Sequence, residues 1–317
     1  FEELTAMLTL SRQLRKKRYQ NGAIAFEQPE VKFELDERGA PVRVYKKHRT
    51  ETMLMIEDFM LLANREVATY INKKAKKEDR ELAFVYRIHD MPDPTKLKDF
   101  SDFIKRFGYS VDFNTPQNIA NSINDLLSKI KGKPEQNIIE MLAIRSMAKA
   151  EYSTNNIGHF GLAFPFYSHF TSPIRRYPDM MAHRMLFSYL NDGKSENIDV
   201  IDKLCKHSSL MERKASEAER ESTKLYQVIY MQDSVGEIFD GVVSGVTEWG
   251  MFVEITSNKC EGLVRLRDID GDYFIYDQKN MSIVGQRTRK AYALGDKIQI
   301  IVVAADLENR RIDLKLV

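Results

Sequence analysis

Apolar positions along this chain change their spacing near residue 236. Upstream, most stretches follow a helical rhythm; downstream they come in short β-type runs. Residues 2–18 place Leu4, Leu8 and Leu14 among charged neighbours and end in Arg15-Lys16-Lys17-Arg18, which predicts a surface helix with a basic end. Gly22 breaks it. Residues 23–35 alternate through Val31, Phe33 and Leu35, and Glu37-Arg38-Gly39 turns the chain back towards Val42 and Val44, a hairpin signal. Residues 53–73 carry Met53, Ile56, Met60, Ala63, Val67 and Ile71 at 3/4 spacing and predict an amphipathic helix. Residues 82–88 read as a strand. Helices follow near 95–106, 116–129 and 135–150, and Asn191-Asp192-Gly193-Lys194-Ser195 reads as a loop.

The most regular element is a helix near 202–231, with Leu204, Ser208, Met211, Ala215, Ala218, Ser222, Leu225 and Ile229 at alternating spacings of four and three. Its small central members predict close packing of another element there. Gly236 ends it, and a domain boundary is expected near Ser234, dividing the chain into 1–233 and 234–317. In the last part, residues 237–246, 251–255, 262–266, 297–304 and 310–317 are five short β-type runs, which points to a five-stranded OB-fold barrel. The expected class is therefore α+β: a mixed helical and sheet portion followed by a barrel. The insertion 273–292, with Tyr273, Phe274 and Tyr276, either widens a binding surface or covers the barrel.

Composition narrows the function classes only modestly. Lys and Arg number 48 against 46 acidic residues, a net charge of +2, so any nucleic-acid site must come from local clustering of basic residues. Two distant cysteines, Cys205 and Cys260, argue against a disulfide framework or a cysteine zinc site and fit a reducing cytoplasm. No apolar run reaches the ~20 residues of a membrane span. The chain opens at Phe1, already in a helical pattern, so the natural N-terminus is expected upstream.

The chemistry concentrates in His169-Phe170-Thr171-Ser172-Pro173-Ile174-Arg175-Arg176-Tyr177-Pro178-Asp179, followed by His183-Arg184. Two arginines beside Ser172 and Pro173, both good helix-start residues, would make a phosphate site from guanidinium forks and free amides. The plainer alternative is a capped helix with two solvated arginines. Ser172 suits capping better than nucleophilic attack, since no base is in sight. His159, His169 and His183 are read as hydrogen-bonded structural imidazoles.

This block, with His159-Phe160-Gly161-Leu162-Ala163 before it, resembles the signature of the RNB catalytic domain, shared by ribonuclease II, ribonuclease R and Dis3-type exosome nucleases. The Arg-Arg-Tyr-Pro-Asp version is closest to the ribonuclease R branch. Gly22-Ala23-Ile24-Ala25-Phe26-Glu27, Leu61-Leu62-Ala63-Asn64, Tyr86-Arg87-Ile88-His89-Asp90 and Leu142-Ala143-Ile144-Arg145-Ser146-Met147 match in order, so the likeness covers essentially the whole chain. The resemblance implies a processive 3′→5′ exoribonuclease acting on single-stranded RNA and releasing nucleoside 5′-monophosphates. It implies Mg2+ on aspartates upstream of Phe1, and no metal ligand is assigned here. Asp90 with Asp93, and Asp268 with Asp270 and Asp272, lie in the wrong segments, the last three as solvated turn residues. By the same resemblance, Arg175 contacts the scissile phosphate, Phe26 stacks on a base and Glu219 lies near the 3′-terminal nucleotide. A core role for Phe26, an ordinary surface charge for Glu219 and competition from Glu217 stay open. Arg176 and Tyr177 are expected either to support the phosphate contact from behind or to touch the RNA backbone.

The terminal segment is similar to an S1 RNA-binding domain through Gly241-Val242-Val243, Trp249-Gly250-Met251-Phe252-Val253, Glu261-Gly262-Leu263-Val264, Leu294-Gly295-Asp296 and Arg311-Ile312-Asp313-Leu314. Trp249 and Phe252 are expected to stack on bases, with Arg265, Arg267 and Lys297 supplying charge. The alternative for Phe252 is barrel core. The implied partner is single-stranded RNA, bound by a cytoplasmic monomer with no membrane contact; transient association with the ribosome or other RNA-decay proteins is the further expectation. Two rivals stand beside the enzyme: a non-catalytic RNA binder on a degenerate RNB scaffold, and a translation-linked protein in which only the barrel matters.

Overall fold

The computed structural model describes every residue except Phe1, Ala25, 27–29, His48, Pro134 and Lys279, and gives only the backbone of Glu30, Lys46 and Asn137. Ala25 and Glu27 of the Gly22 motif thus lie outside the described residues. The chain forms two compact units. The first comprises Phe1–Phe26, Arg49–Lys131 and Leu142–Ala215; the second comprises Glu27–His48, Gly132–Met141 and Ser216–Val317.

In the first unit, α1 (Glu2–Gln20) packs on α2 (Glu51–Lys77). Asp58 of α2, buried at the contact, accepts hydrogen bonds from Ser11 Oγ (3.0 Å) and Arg15 Nε (2.9 Å) and pairs with Arg18 at 3.5 Å. The basic end of α1 is therefore partly tied down rather than solvated. Thr50 caps α2 by accepting from the Met53 amide. The buried face of α2 differs from the expected stripe. Met53 and Ile56 are exposed, while Met55, Asp58, Asn64, Ala68 and Ile71 are buried. Two polar side chains with partners on other segments moved the face, and apolar spacing cannot see them.

Residues 82–85 are buried as expected, yet only β3 (Tyr86–Ile88) forms a ladder, antiparallel to β4 (Glu151–Ser153). Side chains satisfy the preceding backbone instead: Ser195 Oγ accepts from Ala83 N, Tyr189 Oη donates to Ala83 O, and Ser168 Oγ donates to Val85 O. This segment, with Ile71, Met181, Ala182, Tyr189 and Cys205, forms the main core. A second cluster joins Leu97 of α3 (Pro94–Ile104) to Ile119 and Ile123 of α4 (Pro116–Ile130). Both helices begin with proline after a capping side chain, Asp93 and Thr115. α6 (Tyr177–Leu190) also belongs to this unit, while α5 (Gln136–Ser146) and α7 (Ile198–Met231) each contribute residues to both units.

One expectation for α7 is corrected. Ala215, Ala218 and Ser222 are exposed, as is everything from Arg213 to Ser222, so no element packs closely on the small residues. This stretch is charged all round, and its alanines serve helix propensity, not contact. Of the small residues in the expected stripe, Ser208, further upstream, is buried, with Ser209 beside it.

In the second unit, β1 (Glu30–Leu35) and β2 (Pro41–Lys47) form the expected hairpin. A closed barrel follows in the order β11-β12-β7-β6-β5, built from β5 (Ile238–Thr247), β6 (Gly250–Ile255), β7 (Glu261–Arg265), β11 (Lys297–Asp306) and β12 (Arg311–Leu316). All its pairs are antiparallel except β12 with β7. Met251, Val253, Ile255, Val264 and Ile300 fill it completely buried. Gly250 is required at the β5–β6 turn: its φ is +154°, and a Cβ there would stand 2.2 Å from Val264 O. The insertion is itself a sheet of β8 (Phe274–Asp277), β9 (Ser282–Gly285) and β10 (Ala291–Ala293), with Phe274, Ile283 and Tyr292 buried. Both cysteines are buried free thiols, pushed up to about 12 by burial. Among the described residues, no helix is long and apolar enough to cross a membrane.

Candidate nucleic-acid interface

The Arg175 loop is held by side chains from two helices, α2 and α6. Asn64 of α2, buried, accepts at Oδ1 from the amides of Phe170 (2.9 Å) and Thr171 (3.2 Å) and donates through Nδ2 to Tyr167 Oη (3.1 Å). Asp179 of α6, fully buried, accepts at Oδ1 from the Ser172 amide (2.8 Å) and from Arg176 Nη2 (2.8 Å). His183, one turn further along α6, bonds Phe170 O at 2.8 Å and stacks on its ring with centroids 3.8 Å apart. Ser172 O in turn accepts from the amides of Arg175 and Arg176, closing a tight turn.

Ser172 therefore does not cap α6. The residue at the cap is Arg176, and Asp179 reaches back from the first turn instead, where a carboxylate is favoured by the helix dipole. The two arginines separate cleanly. Arg176 is committed to Asp179 and mostly buried. Arg175 is exposed, and its guanidinium has no ion pair among the described residues. Tyr177, first in α6, is half exposed. Phe26 is partly buried against the Leu97, Ile119 and Ile123 cluster.

His159 and His169 are held neutral. Burial, then the charges of Arg176, Arg87 and Arg175, pushes His169 down to about 2; burial, then His89 and Arg87, pushes His159 down to about 3. His169 Nδ1 meets Tyr152 Oη at 2.8 Å. His89 accepts from Gly161 N at Nδ1 and bonds Ala148 O through Nε2, and its ring stacks on His159.

In the second unit, Glu219 is exposed on α7 and Trp249 projects at 72% exposure from the β5–β6 turn. Phe252 points outward between the inward-facing Met251 and Val253, so it is not barrel core. Gly245, opposite it on β5, leaves room for its ring. Lys297 is exposed, whereas Arg265 is paired with Asp313 at 2.9 Å. Arg267 stands beside Asp268.

The aspartates of the barrel loop do not converge. Asp270 pairs with Lys315. Asp272 accepts from Thr288 Oγ1 and from the amides of Thr288, Arg287 and Tyr273, which hold its carboxyl well below the usual range. It is therefore a turn residue at the surface, with its carboxylate hydrogen-bonded within the turn. Among the described residues no three carboxylate, imidazole or thiol groups are placed together to hold a metal ion.

Asn64 and Asp179 lie within the motif strings, and the sequence alone assigns them no role. The signal that marks Asn64 is a polar residue four positions after Met60, inside an otherwise apolar helix stripe; Asp179 carries the N3-acid signature of a helix start.

The RNB domain family matches residues 1–192, and the S1 RNA binding domain matches 232–316. Ribonuclease R 1 of Lactococcus lactis is 38% identical over 320 residues, covering 99% of this chain and 38% of that protein. The apo form of Mycoplasma genitalium RNase R superposes with a TM-score of 0.90 at 28% identity, covering 99% of this chain and 49% of that one. Yeast Ssd1, described as a pseudonuclease, superposes with a TM-score of 0.59 at 25% identity, covering 74% of this chain and 29% of that one. The chain thus spans less than half the length of these proteins. With the family matching well over half of its residues, the chain belongs to the RNB domain family and carries an S1 RNA binding domain at its C-terminal end.

Proposed function

We propose that this chain is the RNA-gripping part of a hydrolytic 3′→5′ exoribonuclease, which shortens single-stranded RNA processively to nucleoside 5′-monophosphates. The observation that carries it is Arg175, an exposed and unpaired guanidinium on a loop held by buried side chains. A preorganised fork of this kind suits a phosphoryl oxygen in the transition state. Divalent ions, Mg2+ on this reading, supply water activation from carboxylates outside these residues. Phe26, Tyr177, Trp249, Phe252 and Lys297 serve as RNA contacts. Arg176 and Arg265 act next to them, since each is paired with an aspartate. Glu219 faces the 3′-terminal nucleotide. The division of labour falls near Ser234, between the RNB portion and the barrel. Support comes from the Mycoplasma genitalium homologue, whose structure was obtained with ribose-methylated single-stranded RNA.

The rival reading, a non-catalytic RNA binder, is favoured by the likeness to the pseudonuclease Ssd1. End-labelled single-stranded RNA separates the two. The 317-residue chain is expected to bind RNA with an affinity that falls steeply with salt, and to release no mononucleotides with Mg2+. The protein expressed from its complete gene is expected to release them. Binding without release by the complete protein would establish the rival.

Trp249→Ala tests the barrel surface. Loss of one base-stacking platform is expected to weaken RNA binding by roughly tenfold to a hundredfold, about 1–3 kcal/mol, with the melting temperature unchanged because the ring is exposed. Unaltered affinity in a filter-binding assay would remove Trp249 from the interface.

A further inference from the structure

We propose that Asp179 is a positioning residue that acts through Arg175, with Asn64 as its counterpart on the other side of the loop. The inference rests on the phosphate-binding reading of Arg175. Three successive amides, Phe170, Thr171 and Ser172, are all captured by these two side chains, and neither side chain lies in the loop segment it holds. Asn64 comes from α2, more than a hundred residues away in sequence. The oxygen of Asp179 that takes the Ser172 amide also takes Arg176. One buried carboxylate therefore fixes the loop backbone on one side of Arg175 and the side chain of the residue after it.

Among the described residues Arg175 has no ion pair, so the backbone of residues 172–176 sets where its guanidinium stands. The arrangement is a poor solution for stability alone. Asp179 is completely buried, its Oδ2 is without a hydrogen bond, and so are Arg176 Nε and Thr171 Oγ1 in the same loop. Burying a carboxylate–guanidinium pair costs desolvation that an apolar pair would avoid, and unpaired buried polar atoms add to it. What this geometry secures is a single loop conformation, with Arg176 drawn inward and Arg175 left outside. The adjacent arginines are thereby given different tasks by one acidic residue.

A double-mutant cycle in the protein expressed from its complete gene tests this. Asp179→Asn, Arg175→Ala and the pair are compared by single-turnover hydrolysis rate, RNA dissociation constant and melting temperature. Asp179→Asn keeps the shape and one acceptor oxygen but loses the charge that draws in Arg176. It is expected to slow hydrolysis about tenfold to a hundredfold, with RNA affinity within about threefold of the parent. In the Arg175→Ala background the same change is expected to slow hydrolysis no further, because its effect passes through that guanidinium. Asn64→Ser provides a second route to the same result if Asp179→Asn does not fold. Equal slowing by Asp179→Asn with and without Arg175 would overturn the positioning role, as would a loss of rate matched by a loss of affinity. An Arg175→Ala protein that hydrolyses RNA normally would instead sink the underlying reading of Arg175.

Discussion

Arg175→Ala in the complete protein is expected to reduce the hydrolysis rate by about 10²–10³-fold while changing RNA affinity by no more than about threefold. The size follows from the loss of one preorganised donor to developing transition-state charge. The asymmetry follows from the distribution of the other contacts. Tyr177, Trp249 and Lys297 are exposed and Phe252 is partly so, and on the proposed reading they share the grip on RNA, which makes one guanidinium a small part of ground-state binding. Arg176→Ala is expected to behave differently. It strips Asp179 of its counter-ion and leaves a buried carboxylate uncompensated, so its first effect is on folding stability. Single-turnover kinetics beside equilibrium binding on both variants checks this. Equal losses of rate and affinity in Arg175→Ala would contradict the assigned role.

A second large effect is expected from acid. In the folded chain His159 and His169 titrate at about 3 and about 2, against an ordinary value near 6.5 once unfolded. Below about pH 6.5 the unfolded chain takes up protons that the folded one refuses, so stability falls as pH drops and continues to fall until the folded values are reached. Each ring contributes at most about 1.4 kcal/mol per pH unit in that window, reduced by whatever solvent contact it keeps. The groups facing His169 reinforce the direction: Arg176, Arg87 and Arg175 all oppose its protonation, and Tyr152 bonds its ring. Denaturant midpoints of the 317-residue chain should therefore decline from about pH 7 to about pH 5, and His169→Gln should flatten the decline. A slope identical in the two proteins would show that His169 is free to ionise in the folded state.

The hairpin, α3, α4 and all five barrel strands were legible from local signals. Alternation, Pro–cap pairs and turn glycines are properties of neighbouring residues, and the structure reproduces them at nearly the expected bounds. The RNB and S1 signatures were legible for the same reason, being contiguous strings. The strand expected over 82–88 was only partly right, because Ser195, Tyr189 and Ser168 bond the backbone that a ladder would otherwise have used. The close packing expected on the middle of α7 was wrong, because small residues there reflect helix propensity on an exposed, charged stretch.

By itself, then, the order of residues determined the element types, the barrel and the family, since each depends on spacing within a few positions. Local spacing could not separate Arg175 from Arg176, which are adjacent and chemically alike; only the family resemblance singled out Arg175. Only the tertiary structure turned one inward onto Asp179 and left the other exposed, and only it brought Asn64 to the same loop from a distant helix. Likewise it turned Phe252 out of the barrel and moved the buried face of α2 onto Asp58 and Asn64. The physical reason is common to all of these. A buried polar group is tolerable only where its partner arrives, and those partners come from segments far along the chain.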